Sequence, residues 1–188
     1  MNSGLTVLDD KVYTIDDYMK LDDGNRYELI GGKLIMVPRA RDKHQDISLK
    51  IASRILIYLE QNPIGRVRQD MDVHLKDNGE EKVVGPDVFF VSKDRLHIMT
   101  ELYLTAAPDL VVEILSPSTE SHDRKTKSKL YFQNGVQEYW IVDPQQRNIE
   151  VFVPGRHNWE LVGVFDSEDV LATRLLPGLE INLKDIFA

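Results

Sequence analysis

A chain of 188 residues with 42% hydrophobic content has the size and apolar content of one domain with a full core, spanning residues 1–188. The absence of cysteine excludes disulfides and thiolate metal sites. No apolar run approaches the roughly 20 residues of a membrane span, and Met1-Asn2-Ser3-Gly4 does not begin a signal peptide, so a cytoplasmic protein is expected. A net charge of −8 argues against non-specific coating of nucleic acid, while leaving room for a nuclease with a local basic patch.

The elements read in chain order as mixed α/β. Thr14 caps a short helix over Ile15–Met19, with Asp17 placed for a capping box. Tyr27–Ile30 and Lys33–Val37 flank Gly31-Gly32 as a hairpin. From Asp42 to Gln61, Ile47, Ile51, Ile55 and Leu59 recur at helical spacing, and Pro63 and Gly65 close the helix. Val67, Met71, Val73 and Leu75 then alternate with Arg68, Asp70, Asp72 and His74 as one strand, ended by a turn at Asp77-Asn78-Gly79. Two apolar strands follow, Asp87–Val91 and Leu110–Leu115. A helix over Ser121–Gln133 is stopped by Asn134-Gly135. Glu138–Asp143 and Asn148–Val153 form a second hairpin that Trp159–Phe165 extends, and a short strand and helix end the chain.

The chemistry is concentrated in the two apolar strands. Asp87 and Glu113 are acids on runs that are otherwise fit for burial, where an unpaired charge is costly. Two such carboxylates suit a divalent cation with oxygen preference, magnesium or manganese, which keeps several waters. A phosphodiester hydrolase needs that cation, an activated water and a positive group opposite the developing charge. At 100° per residue Lys127 falls between Leu130 and Tyr131 on the inward stripe, with Asp123 one turn before it, whereas Lys125 and Lys129 point away. Glu28, in the first hairpin, reads as a further acidic site residue or a surface charge. His44 lies on the stripe of Ile51 and Ile55 as a core, capping or site residue. Asp109 shares a strand face with Glu113 but reads as a strand-entry residue, and Ser116-Pro117-Ser118-Thr119 reads as a turn rather than a nucleophile.

Pro86-Asp87, Val112–Thr119, Asp123, Lys127, Tyr131, Gly135-Val136 and Glu138–Pro144, with Tyr27–Leu34 and His44-Gln45 upstream, together resemble the Uma-type family of putative restriction endonucleases, within the PD-(D/E)xK nuclease superfamily. The resemblance covers roughly Tyr13 to Phe187. It implies a restriction-endonuclease-like core, a central mixed sheet flanked by helices. It also implies Asp87 and Glu113 as metal ligands, Lys127 as the lysine moved off the strand (Leu115 stands where that lysine usually lies), and Glu28 and His44 as auxiliary site residues. It implies a nucleic-acid substrate, most naturally DNA, and a homodimer, since cutting two strands takes two sites. The alternative is a non-catalytic nucleic-acid-binding or self-assembling module on the same fold. The net charge of −8 favours it; the retained Asp87, Glu113 and Lys127 oppose it.

Overall fold

A computed structural model describes residues 5–77 and 79–188. After a two-residue strand β1 (Thr6–Val7), helix α1 (Ile15–Tyr18) starts at the expected capping box, with Thr14 Oγ1 accepting from the Asp17 N–H. Strands β2 (Arg26–Ile30) and β3 (Lys33–Val37) form the first hairpin. Its turn needs positive φ at both central residues, supplied by Gly31 at 59° and Gly32 at 69°. Helix α2 (Asp42–Gln61) has the boundaries its apolar period implies. Ile47, Ile51 and Ile55 are almost fully buried along it, each stabilising the fold by roughly 1.5–3 kcal/mol over exposure.

The alternating run that follows is two strands rather than one. Chain direction breaks at Asp70, whose φ is 57°, so β4 (Gly65–Gln69) and β5 (Asp72–Asp77) join different sheets. Alternation carries straight through such a corner, because both strands bury the same parity of residue. Asn78 of the expected turn lies outside the described residues. Strand β6 (Glu80–Val84), masked in the sequence by its charged first half, pairs with β5. Then come β7 (Val88–Ser92), a 3-10 segment (Lys93–Ile98), β8 (Tyr103–Leu104) and β9 (Leu110–Ile114). The expected helix over Ser121–Gln133 begins as a wide π-helical segment (His122–Lys127) and continues as α3 (Ser128–Gln133), ending where Gly135 takes a φ of 80°. The second hairpin is β10 (Glu138–Asp143) with β11 (Asn148–Pro154), extended by β12 (Trp159–Asp166). Strands β13 (Val170–Ala172) and β14 (Glu180–Asn182) and helix α4 (Leu183–Phe187) complete the chain.

Two six-stranded sheets result. One runs β1-β3-β2-β6-β5-β8; the other, in the order β12-β11-β10-β9-β7-β4, is mixed because β9 and β10 are parallel while the other neighbours are antiparallel. This second sheet is covered on both faces, which is why its middle strands are unbroken apolar runs. Val88, Phe90, Val112 and Trp140 pack towards α2 and α4. Phe89, Val91, Val111 and Tyr139 pack the other way, against β5, β6 and α3. Glu113 has the parity of Val111, so its carboxylate is committed to the layer between the two sheets.

Candidate active site

Strands β7 and β9 pair with Val88 opposite Val112. Continuing that antiparallel register by one residue sets Asp87 opposite Glu113, at the same end of the sheet and with the same facial parity. The pair therefore follows from register: the two strands bring together acids that are 26 positions apart in the sequence. The backbone N–H of Ile114 donates to Asp87 Oδ2 at 2.7 Å, locking the aspartate against the neighbouring strand.

Lys127 arrives from the π-helical segment. Its Nζ is 2.6 Å from Glu113 Oε1, 3.3 Å from Glu28 Oε1 and 3.4 Å from Asp123 Oδ1, and the side chain is 5% exposed. Glu28 crosses from β2 of the other sheet, accepts from the Gly85 N–H at 3.3 Å, and meets His122 Nε2 at 2.6 Å. Tyr131, one turn beyond Lys127, donates its hydroxyl to Glu113 Oε1 at 2.6 Å. His44, near the start of α2, sets Nε2 3.2 Å from Asp87 Oδ2. All five residues singled out from the sequence therefore meet in one place: Asp87, Glu113 and Lys127 with Glu28 and His44. They line a cleft of about 1050 Å³.

Three carboxylates, Glu28, Glu113 and Asp123, face one ammonium, and Asp87 adds a fourth acid beside His44, so acids outnumber the lysine in the site. Burial pushes the Glu113 carboxyl well above its usual range, and the nearby Asp123 and Asp87 add to this against the pull of Lys127. Burial likewise raises Asp123. Glu28 goes the other way: burial opposes its ionisation, but Lys127 and the His122 hydrogen bond outweigh it and bring the carboxyl down to about 2. Burial also opposes the Lys127 charge, yet Glu113 and Glu28 hold its ammonium well above the usual lysine value. For His44 the Asp87 contact outweighs burial and raises the imidazole.

Oxygen donors remain available within this cluster. Both contacts to the Glu113 carboxylate fall on Oε1 and those to Asp87 on Oδ2. Among the described residues, Glu113 Oε2 and Asp87 Oδ1 accept no hydrogen bond. Two carboxylates that repel each other, each with an oxygen to offer, fit a hard divalent cation that retains water. Among the described residues no group of three or more His, Cys, Asp or Glu side chains forms a ready-made metal cluster, so water and substrate oxygens would complete the shell.

Asp109 lies at the opposite end of β9. It accepts from the Ser92 N–H at 2.7 Å and from Arg95 Nη1 at 2.8 Å, which makes it the strand-entry anchor expected from the sequence. Ser116 Oγ meets Ser118 Oγ and Thr119 Oγ1, each at 3.0 Å, within a turn. His122 carries no signal in the sequence, because its partner Glu28 lies 94 residues away and no periodicity links them. Tyr131 reads as core from its helical phase; a tyrosine there still needs a partner for its hydroxyl, and Glu113 provides it.

The family model "Uma2: Putative restriction endonuclease" matches residues 15–184. A curated relative, "Uncharacterized protein slr1290" of Synechocystis sp., is 26% identical over 140 residues, covering 73% of this chain and 72% of that protein. A crystal structure of a putative nuclease belonging to DUF820 from Anabaena variabilis ATCC 29413 superposes with a TM-score of 0.75 at 24% identity, covering 93% of this chain and 97% of that one. That likeness establishes the fold, a mixed sheet flanked by helices.

Proposed function

The chain belongs to the Uma2 family of putative restriction endonucleases, and from that membership we propose that it is a metal-dependent endonuclease hydrolysing phosphodiester bonds of DNA. The observation that carries this reading is the Lys127 ammonium 2.6 Å from Glu113, with Asp87 opposite Glu113 in the strand register and both acids lining the cleft. Asp87 and Glu113 would hold the cation, magnesium or manganese, which when bound supplies Lewis-acid stabilisation of the phosphoryl oxygens and acidifies water.

The residues themselves divide the remaining work. The held-up basicity of Lys127 keeps it an ammonium at neutral pH, so it acts as a donor that orients the attacking water and opposes charge on the phosphoryl group; it does not act as a base. In the reaction the water oxygen bonds to phosphorus, the bond from phosphorus to the leaving oxygen breaks, and a proton ends on that oxygen. Glu28 and Tyr131 are positioning residues: Glu28 holds Lys127, and Tyr131 fixes the Glu113 rotamer. His44 fixes Asp87 from the other side.

A polyanionic substrate must approach an acidic pocket, and the cleft lip offers the charge to allow it. Arg39 and Arg41 line it from the loop between β3 and α2, exposed and without an ion pair among the described residues. Double-strand cleavage would take two copies, and a homodimer is part of this reading. Among the described residues no helix is long and apolar enough to cross a membrane.

The test is cleavage of supercoiled plasmid and branched DNA with magnesium or manganese. Wild type should nick and linearise, while Asp87→Ala and Glu113→Ala should lose the activity. Equal cleavage by all three proteins would point to a contaminating nuclease and remove the assignment.

A further inference from the structure

His122 and Lys127 both reach Glu28, and the wide turn of their segment is what allows it. In an α-helix, residues five apart point about 140° away from each other. Bonding from i to i+5 in the π-helical segment His122–Lys127 instead stacks such residues on adjacent turns. The two side chains take one carboxylate oxygen each: Lys127 Nζ lies 3.3 Å from Glu28 Oε1, and His122 Nε2 lies 2.6 Å from Oε2. The Gly85 N–H adds a bond to Oε1 at 3.3 Å, and Glu28 is 3% exposed, so the carboxylate is held at both ends.

That contact fixes the chemistry of the imidazole. Glu28, drawn down to about 2, is a carboxylate at neutral pH and can only accept, so His122 Nε2 carries the proton between them. Among the described residues the other ring nitrogen, Nδ1, takes no hydrogen bond, and His122 lines the cleft that also holds Asp87 and Glu113. A carboxylate behind an imidazole orients the ring and stabilises its cationic form, and the surplus of acids over the lysine adds to this. The hydrolysis described above leaves one task unassigned. Lys127 faces the attacking water, but the leaving oxygen needs a proton, and an ammonium held by three carboxylates is a poor source of one.

We propose that His122 is the general acid of the reaction, protonating the leaving oxygen from Nδ1, with Glu28 as its positioning residue. This rests on the nuclease reading above and adds to it the source of the leaving-group proton. As the bond from phosphorus to the leaving oxygen breaks, the electron pair of that bond takes the proton on Nδ1 of the imidazolium. The ring is left neutral with its Nε2–H still on Glu28, and a proton from solvent restores it. The proton lost by the attacking water goes to solvent, so the cycle closes with no other reactant.

Two measurements test this. Without metal or DNA, the ring-nitrogen NMR shifts of His122 should show Nε2 protonated in every titration state; a lone pair on Nε2 would overturn the assignment. The second compares cleavage of ordinary DNA with DNA whose bridging oxygen at the leaving position is replaced by sulfur. A thiolate departs without protonation, because thiols ionise near pH ~8.5. His122→Gln keeps an N–H for Glu28 but has no proton to transfer. It and His122→Ala should cut ordinary DNA about 100-fold more slowly than wild type, and should cut the sulfur substrate at close to the wild-type rate. An equal loss on both substrates would make His122 a structural residue and overturn the proposal. Unchanged cutting of ordinary DNA by His122→Gln would also overturn it. If His122→Ala does not fold, His122→Gln and the NMR shifts decide the matter. Wild type cutting neither substrate would remove the nuclease reading itself, and this proposal with it.

Discussion

Replacing Lys127 with methionine removes the one cation that three buried carboxylates face, and it should destabilise the apo protein severely. The side chain is 5% exposed, and Glu113, Glu28 and Asp123 lie within 3.4 Å of its nitrogen. Deleting one member of a buried ion pair costs about 3–5 kcal/mol, because the remaining charge is left in an apolar setting. Methionine fills much of the same volume, so no large cavity penalty is added. Two of the stranded acids can relieve the strain by taking up protons, since Glu113 and Asp123 already sit above their ordinary range. The loss should therefore be about 3 kcal/mol or more at pH 8 and smaller near pH 5. For a chain of 188 residues that corresponds to a melting temperature lower by roughly 6–12 °C, at ~2–4 °C per kcal/mol. Urea unfolding of both proteins without divalent ions, followed by circular dichroism across that pH range, measures it. A loss under about 1 kcal/mol, or one independent of pH, would refute the picture of a buried cage held together by the ammonium.

Glu28 contributes stability that is present above its unfolded value near 4.5 and lost as pH falls through about 2, on the order of 3 kcal/mol for a shift of that size. Glu28→Gln should flatten that part of the acid limb; an unchanged profile between pH 4.5 and 2 would contradict the assignment. Glu113 has the opposite sign. Its raised carboxyl costs stability as pH climbs from the unfolded value through the folded one, so Glu113→Gln should melt higher than wild type at neutral pH without metal and lose cleavage. A lower melting temperature there would mean that the Lys127 pairing outweighs burial. Arg39→Ala/Arg41→Ala should bind DNA more weakly, with the slope of log affinity against log salt reduced by about 0.9 for each phosphate no longer neutralised; an unchanged slope would take both arginines off the substrate path. Asp109→Asn weakens the bonds to Ser92 and Arg95 and should cost about 1.5–3 kcal/mol while leaving manganese affinity unaltered, because it anchors the far end of β9. A matching drop in metal affinity would show that the two ends of the strand are coupled.

Local pattern determined a good deal by itself. The capping box at Thr14, the diglycine turn, the limits of α2 and the apolar run of β9 each depend on neighbours within a few residues, and they can be read directly. The candidate residues are legible for a related reason. An acid inside a strand buried on both faces needs a cation, and helical phase points Lys127 and Asp123 inwards. Tertiary structure decided what depends on partners far along the chain. The alternating run from Val67 to Leu75 gives no sign that it turns a corner at Asp70, because a change of sheet leaves side-chain parity intact. Strand β6 is concealed by its charged first half, in which Glu80 and Glu81 face solvent while Lys82 is buried. His122 joins the site only through Glu28 on the opposite sheet. The sequence by itself thus determined that Glu113 sits in a buried strand and that Lys127 and Asp123 face inwards, while the burial of Glu28 and of Lys82 came from the fold. Only the fold determined that three acids surround Lys127 while Asp87 stands apart beside His44, because that division depends on how two sheets and a π-helical segment meet.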